Sequence, residues 1–208
     1  MNTTALNKYS TKFTDGYLGA IESTGNRYKL GLSGGDLSKA IKASLQEVLI
    51  PDLKKSDVKT RNQSYSGGQN ITITLKLDKS IYAPSLAEFT EIDKQKTLTH
   101  RYNWIWTTKD GLHVQIFSDQ LWSMTSEEQE KAATVTAEYH KKYYFDAKEI
   151  EINHYHIDEE IMLNEKGRQI VHAAKQVIES YHYDDSNSMV DYFNTNFYYS
   201  IRIQWKEA

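Results

Sequence analysis

The sequence predicts an α+β fold with a mainly antiparallel sheet built from hairpins and about three helices packed on it. Three patterns lead there. Apolar residues recur at helical spacing from Leu37 to Val48 and again from Ile170 to Tyr181. They alternate strictly with polar residues from Ile71 to Leu77 and from Phe197 to Trp205, as on half-buried strands. Turn-forming dipeptides, Gly67-Gly68 and Asp110-Gly111, separate further extended runs.

Taken in order, the chain opens with a turn-rich segment over 1–35, where six of the ten glycines fall. Asp36 is placed as the N-cap of a helix whose apolar side is Leu37, Ala40, Ile41, Leu45 and Val48, and Pro51 closes it. Strands are expected at Val58 to Ser64 and Ile71 to Leu77, completing a helix-plus-hairpin unit over 36–80. A second hairpin is expected from Leu98 to Ser118. A two-residue turn at Asp110-Gly111 would set Ile105 opposite Ile116 and Thr107 opposite Val114. Thr125 or Ser126, with Glu128 or Gln129, forms a capping box for a helix buried along Ala132, Val135, Tyr139 and Tyr143. A strand from Ile150 to Ile157, a helix from about Asp158 to Tyr181 and the final strand complete the region 94–208. The expectation is one domain spanning 1–208.

Composition narrows the function classes. A chain of 208 residues buries a sizeable core, and 15 Tyr, 6 Phe and 4 Trp raise the apolar area that a hydrophobic fraction of 39% would otherwise limit. A formal charge of −3 does not describe a general nucleic-acid binder. The absence of cysteine excludes disulfides, thiolate metal sites and a cysteine nucleophile. The N-terminal stretch has no apolar signal region and no run is long enough to span a bilayer, so a cytoplasmic protein with no membrane contact is expected.

Several stretches are candidates for chemistry. SYSGGQNITITLKL, from Ser64 to Leu77, lacks the lysine and the following helix of a phosphate loop, so its glycines read as a hairpin turn. With Gly67-Gly68 as the turn, Lys59 would oppose Lys76. The outward face would carry Lys59, Arg61, Gln63, Tyr65, Asn70, Thr72, Thr74 and Lys76. That face reads either as solvated surface or as a contact for a polyanion or acidic protein, with Lys59, Arg61, Tyr65 and Lys76 as binding candidates. On an extended strand His154, His156 and Asp158 would point the same way, a geometry for one metal ion, although Ile150 and Ile152 on that face suit ordinary core-edge histidines equally well. Asp184, Asp185, Ser186, Asn187, Ser188 and Asp191 lack the sixth-position glycine of a calcium loop, and the Asp and Asn residues read as bonding their own backbone. Tyr102, Trp104, Trp106 and Phe117 read as core in preference to a stacking platform. No nucleophile elbow or triad stands out, no catalytic residue is assigned and no cofactor is expected.

Two stretches resemble a known family. LSKAIKASLQEVLIPDLKKSDVKTRNQSYSGGQNITITL, Leu37 to Leu75, resembles the opening of the twenty-ninth large polyvalent protein-associated domain, with its helix, strand, Tyr-Ser-Gly-Gly turn and alternating strand. YHYDDSNSMVDYFNTNFYYSIRIQW, Tyr181 to Trp205, resembles the segment closing many longer members, with His182 and Asn187 standing where Asn and Asp are usual. The resemblance implies a protein of phages, plasmids or conjugative elements that helps the element survive host defences, and it brings no catalytic residues. The expectation is therefore a non-enzymatic counter-defence protein that binds a host or element-encoded protein, or a protein–nucleic-acid complex. Its contacts would come from Lys59, Arg61, Tyr65 and Lys76 and from the tyrosine-rich loop with Tyr183, Asp184, Asp185, Asp191 and Tyr192. Alternatives are a nucleic-acid-binding accessory protein of conjugation or phage replication and a metal-dependent hydrolase centred on His154 and His156.

Overall fold

The chain folds as α+β, with one parallel strand pair at the centre of otherwise antiparallel sheets. A computed structural model describes residues 1–16, 20–100, 104–107, 113–116, 124–190 and 194–206. Contacts divide the chain into two units: Met1–Ile81 with Glu149–Glu160 and Glu165–Ala208, and Tyr82–Lys148 with Ile161–Asn164.

In the first unit, the short helix α1 (Thr3–Leu6) precedes strands β1 (Thr11–Asp15) and β2 (Ile21–Gly25) and the helix α2 (Gly34–Leu49). Leu37, Ile41, Leu45, Val48 and Leu49 give α2 its fully buried side. Asp36 is not the N-cap expected from the sequence. The helix begins two residues earlier, and Asp36 lies in its first turn, where a carboxylate complements the helix dipole. The opening N–H is satisfied from a distance: Gly34 donates to Oε1 of buried Gln69 at 2.7 Å, and Gln69 Nε2 donates to the Asn196 carbonyl at 3.1 Å.

Strands β3 (Val58–Tyr65) and β4 (Gly68–Leu77) form the expected hairpin, but its turn is Ser66-Gly67, with Gly67 at φ +94°. Gly68 already pairs with Tyr65, so the register differs by two residues and Lys59 opposes Thr74 instead of Lys76. An even shift leaves each side chain on its predicted face, and it removes the like-charge opposition.

After the second unit the chain returns as β7 (Glu149–Ile152), α6 (Glu165–Glu179), the two-residue β8 (Tyr183–Asp184) and β9 (Tyr198–Trp205). The main sheet has the order β3-β4-β9-β7, in which β9 runs parallel to β4 and antiparallel to β7. Val58, Ile71, Ile73, Leu75, Leu77, Ile152, Ile201, Ile203 and Trp205 are buried on one face. Helix α2 packs against β3, and α6, buried along Ile170, Val171, Ala174, Val177 and Ile178, packs against α2. A smaller sheet, β1-β2-β8, is antiparallel throughout.

The strand expected to reach Ile157 stops at Ile152, and the following helix starts at Glu165, not near Asp158. Asn153 is the cause. Its side chain accepts from Tyr155 N–H and its carbonyl from His156 N–H, folding the chain into a turn, and Ile157–Glu159 add a short 3-10 turn.

The second unit contains α4 (Leu86–His100), α5 (Ser126–His140, followed by one π-turn over Lys141–Phe145) and the hairpin β5 (Trp104–Thr107) and β6 (His113–Ile116). The short α3 (Lys79–Tyr82) lies at the boundary. The sequence reading did not foresee α4. Its buried line is Phe89, Asp93 and Thr97, and two of these three are polar, so no apolar period betrays it. Asp93 is accommodated because both its carboxylate oxygens lie within 3.1 Å of His140 Nδ1 on α5. The Thr125–Glu128 capping box forms as expected. The buried residues of α5, however, are Ala132, Ala133, Thr136 and Ala137, while Tyr143 is about half exposed. In the hairpin Trp104 opposes Ile116 and Trp106 opposes Val114, one residue away from the pairing a two-residue Asp110-Gly111 turn would impose. Tyr102 and Phe117 lie outside the described residues.

Two stability predictions follow from the anchors of the first unit. Gln69→Ala removes the partner of the α2 terminus and should lower the unfolding free energy by about 1–3 kcal/mol, whereas Gln63→Ala on the exposed face should change it by less than about 0.5 kcal/mol; urea denaturation compares the two. Asp57, buried before β3, accepts from Lys206 Nζ at 2.7 Å and from Lys54 N–H at 3.1 Å. Burial alone would raise its carboxyl pKa, but Lys206 and the Lys54 N–H together hold it below the usual aspartate range. A depressed folded-state value means the stabilisation is complete at neutral pH and is lost as the pH falls below about 4. Stability measured against pH should therefore fall less steeply below that point in Asp57→Asn than in the native chain.

Candidate functional site

The alternation that buries one face of the main sheet presents polar side chains on the other. Strand β3 places Lys59, Arg61, Gln63 and Tyr65 there, all exposed, and β4 adds half-buried Asn70, Thr72, Thr74 and Lys76. Because β9 pairs in parallel with β4, its even-numbered residues Tyr198, Ser200, Arg202 and Gln204 continue the same face, and β7 closes it with Glu149 and Glu151. The register arranges these residues in rows across the strands: Lys59, Thr74, Arg202 and Glu151; Arg61, Thr72 and Ser200; Gln63, Asn70 and Tyr198.

Charge is unevenly distributed over this surface. Arg202 is held between two carboxylates, Glu149 at 3.4 Å and Glu151 at 3.1 Å. Lys59, Arg61 and Lys76 form no ion pair among the described residues. The β3–β4 half is therefore cationic and without ion pairs, and the β9–β7 half, with one guanidinium between two carboxylates, is net acidic. Two tyrosines stand at the hairpin end. Tyr65 and Tyr198 are each 49% exposed. The Tyr65 ring lies over Gly68, where a Cβ would come within 3.3 Å of it, so glycine gives the ring room to lie across β4.

The structure thus brings Lys59, Arg61, Tyr65 and Lys76 onto one surface and places Tyr183, Asp184 and Asp185 elsewhere. Tyr183 and Asp184 belong to the smaller sheet, where Tyr183 stacks on Tyr28 with ring centroids 5.0 Å apart. Asp184 accepts from Ser186 N–H, Asn187 from Met189 N–H, and Asp185 N–H donates to the Asn194 carbonyl. Asn196 accepts from Tyr183 N–H and donates to the Tyr181 carbonyl, closing the segment on itself. Asp191 and Tyr192 lie outside the described residues.

The proposed metal ligands take separate partners. His154 lies between the Tyr155 and Tyr199 rings, at centroid distances of 4.2 and 4.3 Å. His156 pairs with Glu159 at 3.1 Å, and Asp158 with His172 at 2.7 Å. The turn at Asn153 removes the strand that would have aligned them. No group of three His, Cys, Asp or Glu residues suited to a metal ion occurs among the described residues. Burial, helped by the nearby Lys175 ammonium, lowers the pKa of His154 and keeps its ring neutral. Half-buried Tyr199 donates to Glu179 at 3.0 Å and its hydroxyl pKa is raised, first by desolvation and then by that carboxylate.

Sequence reasoning missed Tyr198, Arg202, Glu149 and Glu151 as members of the surface. The signal for the first two was present in the alternation of FYYSIRIQW. What was lacking was the identity of the neighbouring strand. No protein-family model, curated protein or solved structure matches the chain. Among the described residues no helix is long and apolar enough to cross a membrane.

Because the three free cations support nothing in the fold, Lys59→Ala, Arg61→Ala and Lys76→Ala combined should shift the thermal midpoint by no more than about 4 °C. Circular dichroism melting measures the shift.

Proposed function

We propose that this chain is a non-enzymatic binding protein of a mobile genetic element, acting in counter-defence by engaging a host protein or protein–nucleic-acid complex through the open face of the main sheet. The observation that carries the reading is the set of three uncompensated cations, Lys59, Arg61 and Lys76, on an ordered and solvent-facing sheet surface. A fixed cluster of like charge without internal counter-ions favours an anionic partner and steers its approach. Rigid strands supply the pre-organisation that binding needs, and they hold the cations without any cost in ordering a loop.

The mobile-element setting rests on the resemblance of Leu37–Leu75 and Tyr181–Trp205 to the polyvalent protein-associated family. Those stretches contain β3, β9 and β4 as far as Leu75, parts of three of the four strands that carry the surface. The separate engagement of the candidate metal ligands favours a binding role over the metal-dependent alternative.

A plasmid-transfer or phage-challenge assay in a bacterial host with an active nuclease-based defence tests the proposal. The native protein should raise establishment of the element, and Lys59→Glu, Arg61→Glu and Lys76→Glu combined should cut that gain about tenfold or more, as loss of about 1.4 kcal/mol or more of binding would. Equal establishment with native and charge-reversed protein would remove the sheet face from the function.

A further inference from the structure

We infer that the open sheet face is a platform for single-stranded nucleic acid, with bases stacking on Tyr65 and Tyr198 and phosphates held by Lys59, Arg61 and Lys76. The inference rests on the preceding reading of this face as the contact surface and names its ligand. An acidic protein segment and a nucleic-acid strand both offer negative charge, so cations alone do not separate them. The tyrosines do. Tyr65 and Tyr198 share the cationic face, are both half exposed, and are offset across β4 around the Gln63–Asn70–Tyr198 row. Two flat aromatic faces beside cations on one sheet surface suit unstacked bases, which every sequence provides, and an acidic peptide has no comparable use for them.

The remaining face residues fit the same ligand. Gln63, Asn70, Thr72, Thr74 and Gln204 offer hydrogen-bonding groups to base edges and sugars without adding charge. From Tyr65 to Lys59 the strand extends about 20 Å, at roughly 3.3 Å per residue. That length accommodates about four nucleotides, at the low end for sheet-based single-strand sites. A duplex, with its bases stacked internally, leaves both tyrosines unused. Glu149 and Glu151 bound the site on the β7 side, where with Arg202 they leave a net negative charge, so the phosphates run along β3 and β4. The net charge of −3 does not oppose this, because phosphate contacts respond to local potential, and the carboxylates of this face lie on β7, across the sheet from the cations of β3 and β4.

Fluorescence anisotropy with oligo-dT and oligo-U of about a dozen nucleotides, the corresponding duplex and a poly-glutamate peptide of equal charge tests the inference. Both single strands should bind more tightly than the duplex and the peptide. With three phosphate contacts, log affinity should fall against log salt with a slope of about −2. Lys59→Ala, Arg61→Ala and Lys76→Ala combined should flatten that slope. Tyr65→Ala and Tyr198→Ala should each weaken binding about 5- to 100-fold with the slope unchanged, while Tyr65→Phe and Tyr198→Phe, which keep the stacking surface, should bind nearly as the native chain. Binding of poly-glutamate as tight as that of the oligonucleotides, with no effect of either alanine variant, would overturn the nucleic-acid assignment and leave the face as an acidic-protein contact. Duplex bound as tightly as single strand, or no binding of either oligonucleotide, would also overturn it. Only an unaltered response of the charge-reversed protein in the challenge assay would remove the face itself.

Discussion

The parallel pairing of β9 with β4 is the interaction on which the first unit depends. Eight consecutive positions are matched, from Asn70 with Tyr198 to Leu77 with Trp205, between segments far apart in the chain. Closing so long a loop is entropically unfavourable. The cost is offset by burial on one side of both strands: Ile71, Ile73, Leu75, Leu77, Ile201 and Ile203 are all fully excluded from water. The same pairing positions β7, because β9 is its neighbour in the sheet, and Gln69 ties the hairpin both to the start of α2 and to the Asn196 carbonyl just before β9. One register therefore fixes the core, the origin of a helix and the order of the outward-facing rows.

That coupling links fold to function. A sheet with helices on one side has a second face that must remain compatible with water, and the residues used there are under fewer packing demands. Here it carries cations without internal partners at one edge and an arginine clamped by two glutamates at the other. Opposite charges are thus segregated by strand across a surface a few residues wide. A fixed pattern of this kind on rigid backbone serves recognition better than stability, since isolated surface charges contribute little to folding.

Much of the local structure was legible in the sequence. The apolar side of α2, the two faces of the β3–β4 hairpin and the Thr125–Glu128 capping box were each encoded within a few residues. What escaped was set by distant or polar partners. Asp93 and Thr97 conceal α4 until His140, 47 positions along, supplies the imidazole that makes a buried carboxylate tolerable. Asn153 bends a stretch whose alternation suggested a continuing strand, and it thereby separates His154, His156 and Asp158. Lys59 and Lys76 were read as opposed because either of two adjacent dipeptides could make the turn, and only pairing along the whole hairpin selects Ser66-Gly67.

The candidate surface was legible by halves. The residues on β3 and β4 followed from alternation around one hairpin. Tyr198 and Arg202 alternated just as clearly, yet local sequence does not state which strand lies beside them, so the second tyrosine became visible only with the parallel pairing in place. The most direct test of the account is photo-crosslinking of a 4-thiouridine-containing single strand to the native protein, followed by mass spectrometry of the attached peptides. Cross-links on the β3–β4 hairpin around Tyr65 and on β9 around Tyr198 are the predicted result. Cross-links confined to α2, α6 or the second unit, with none on these strands, would contradict it.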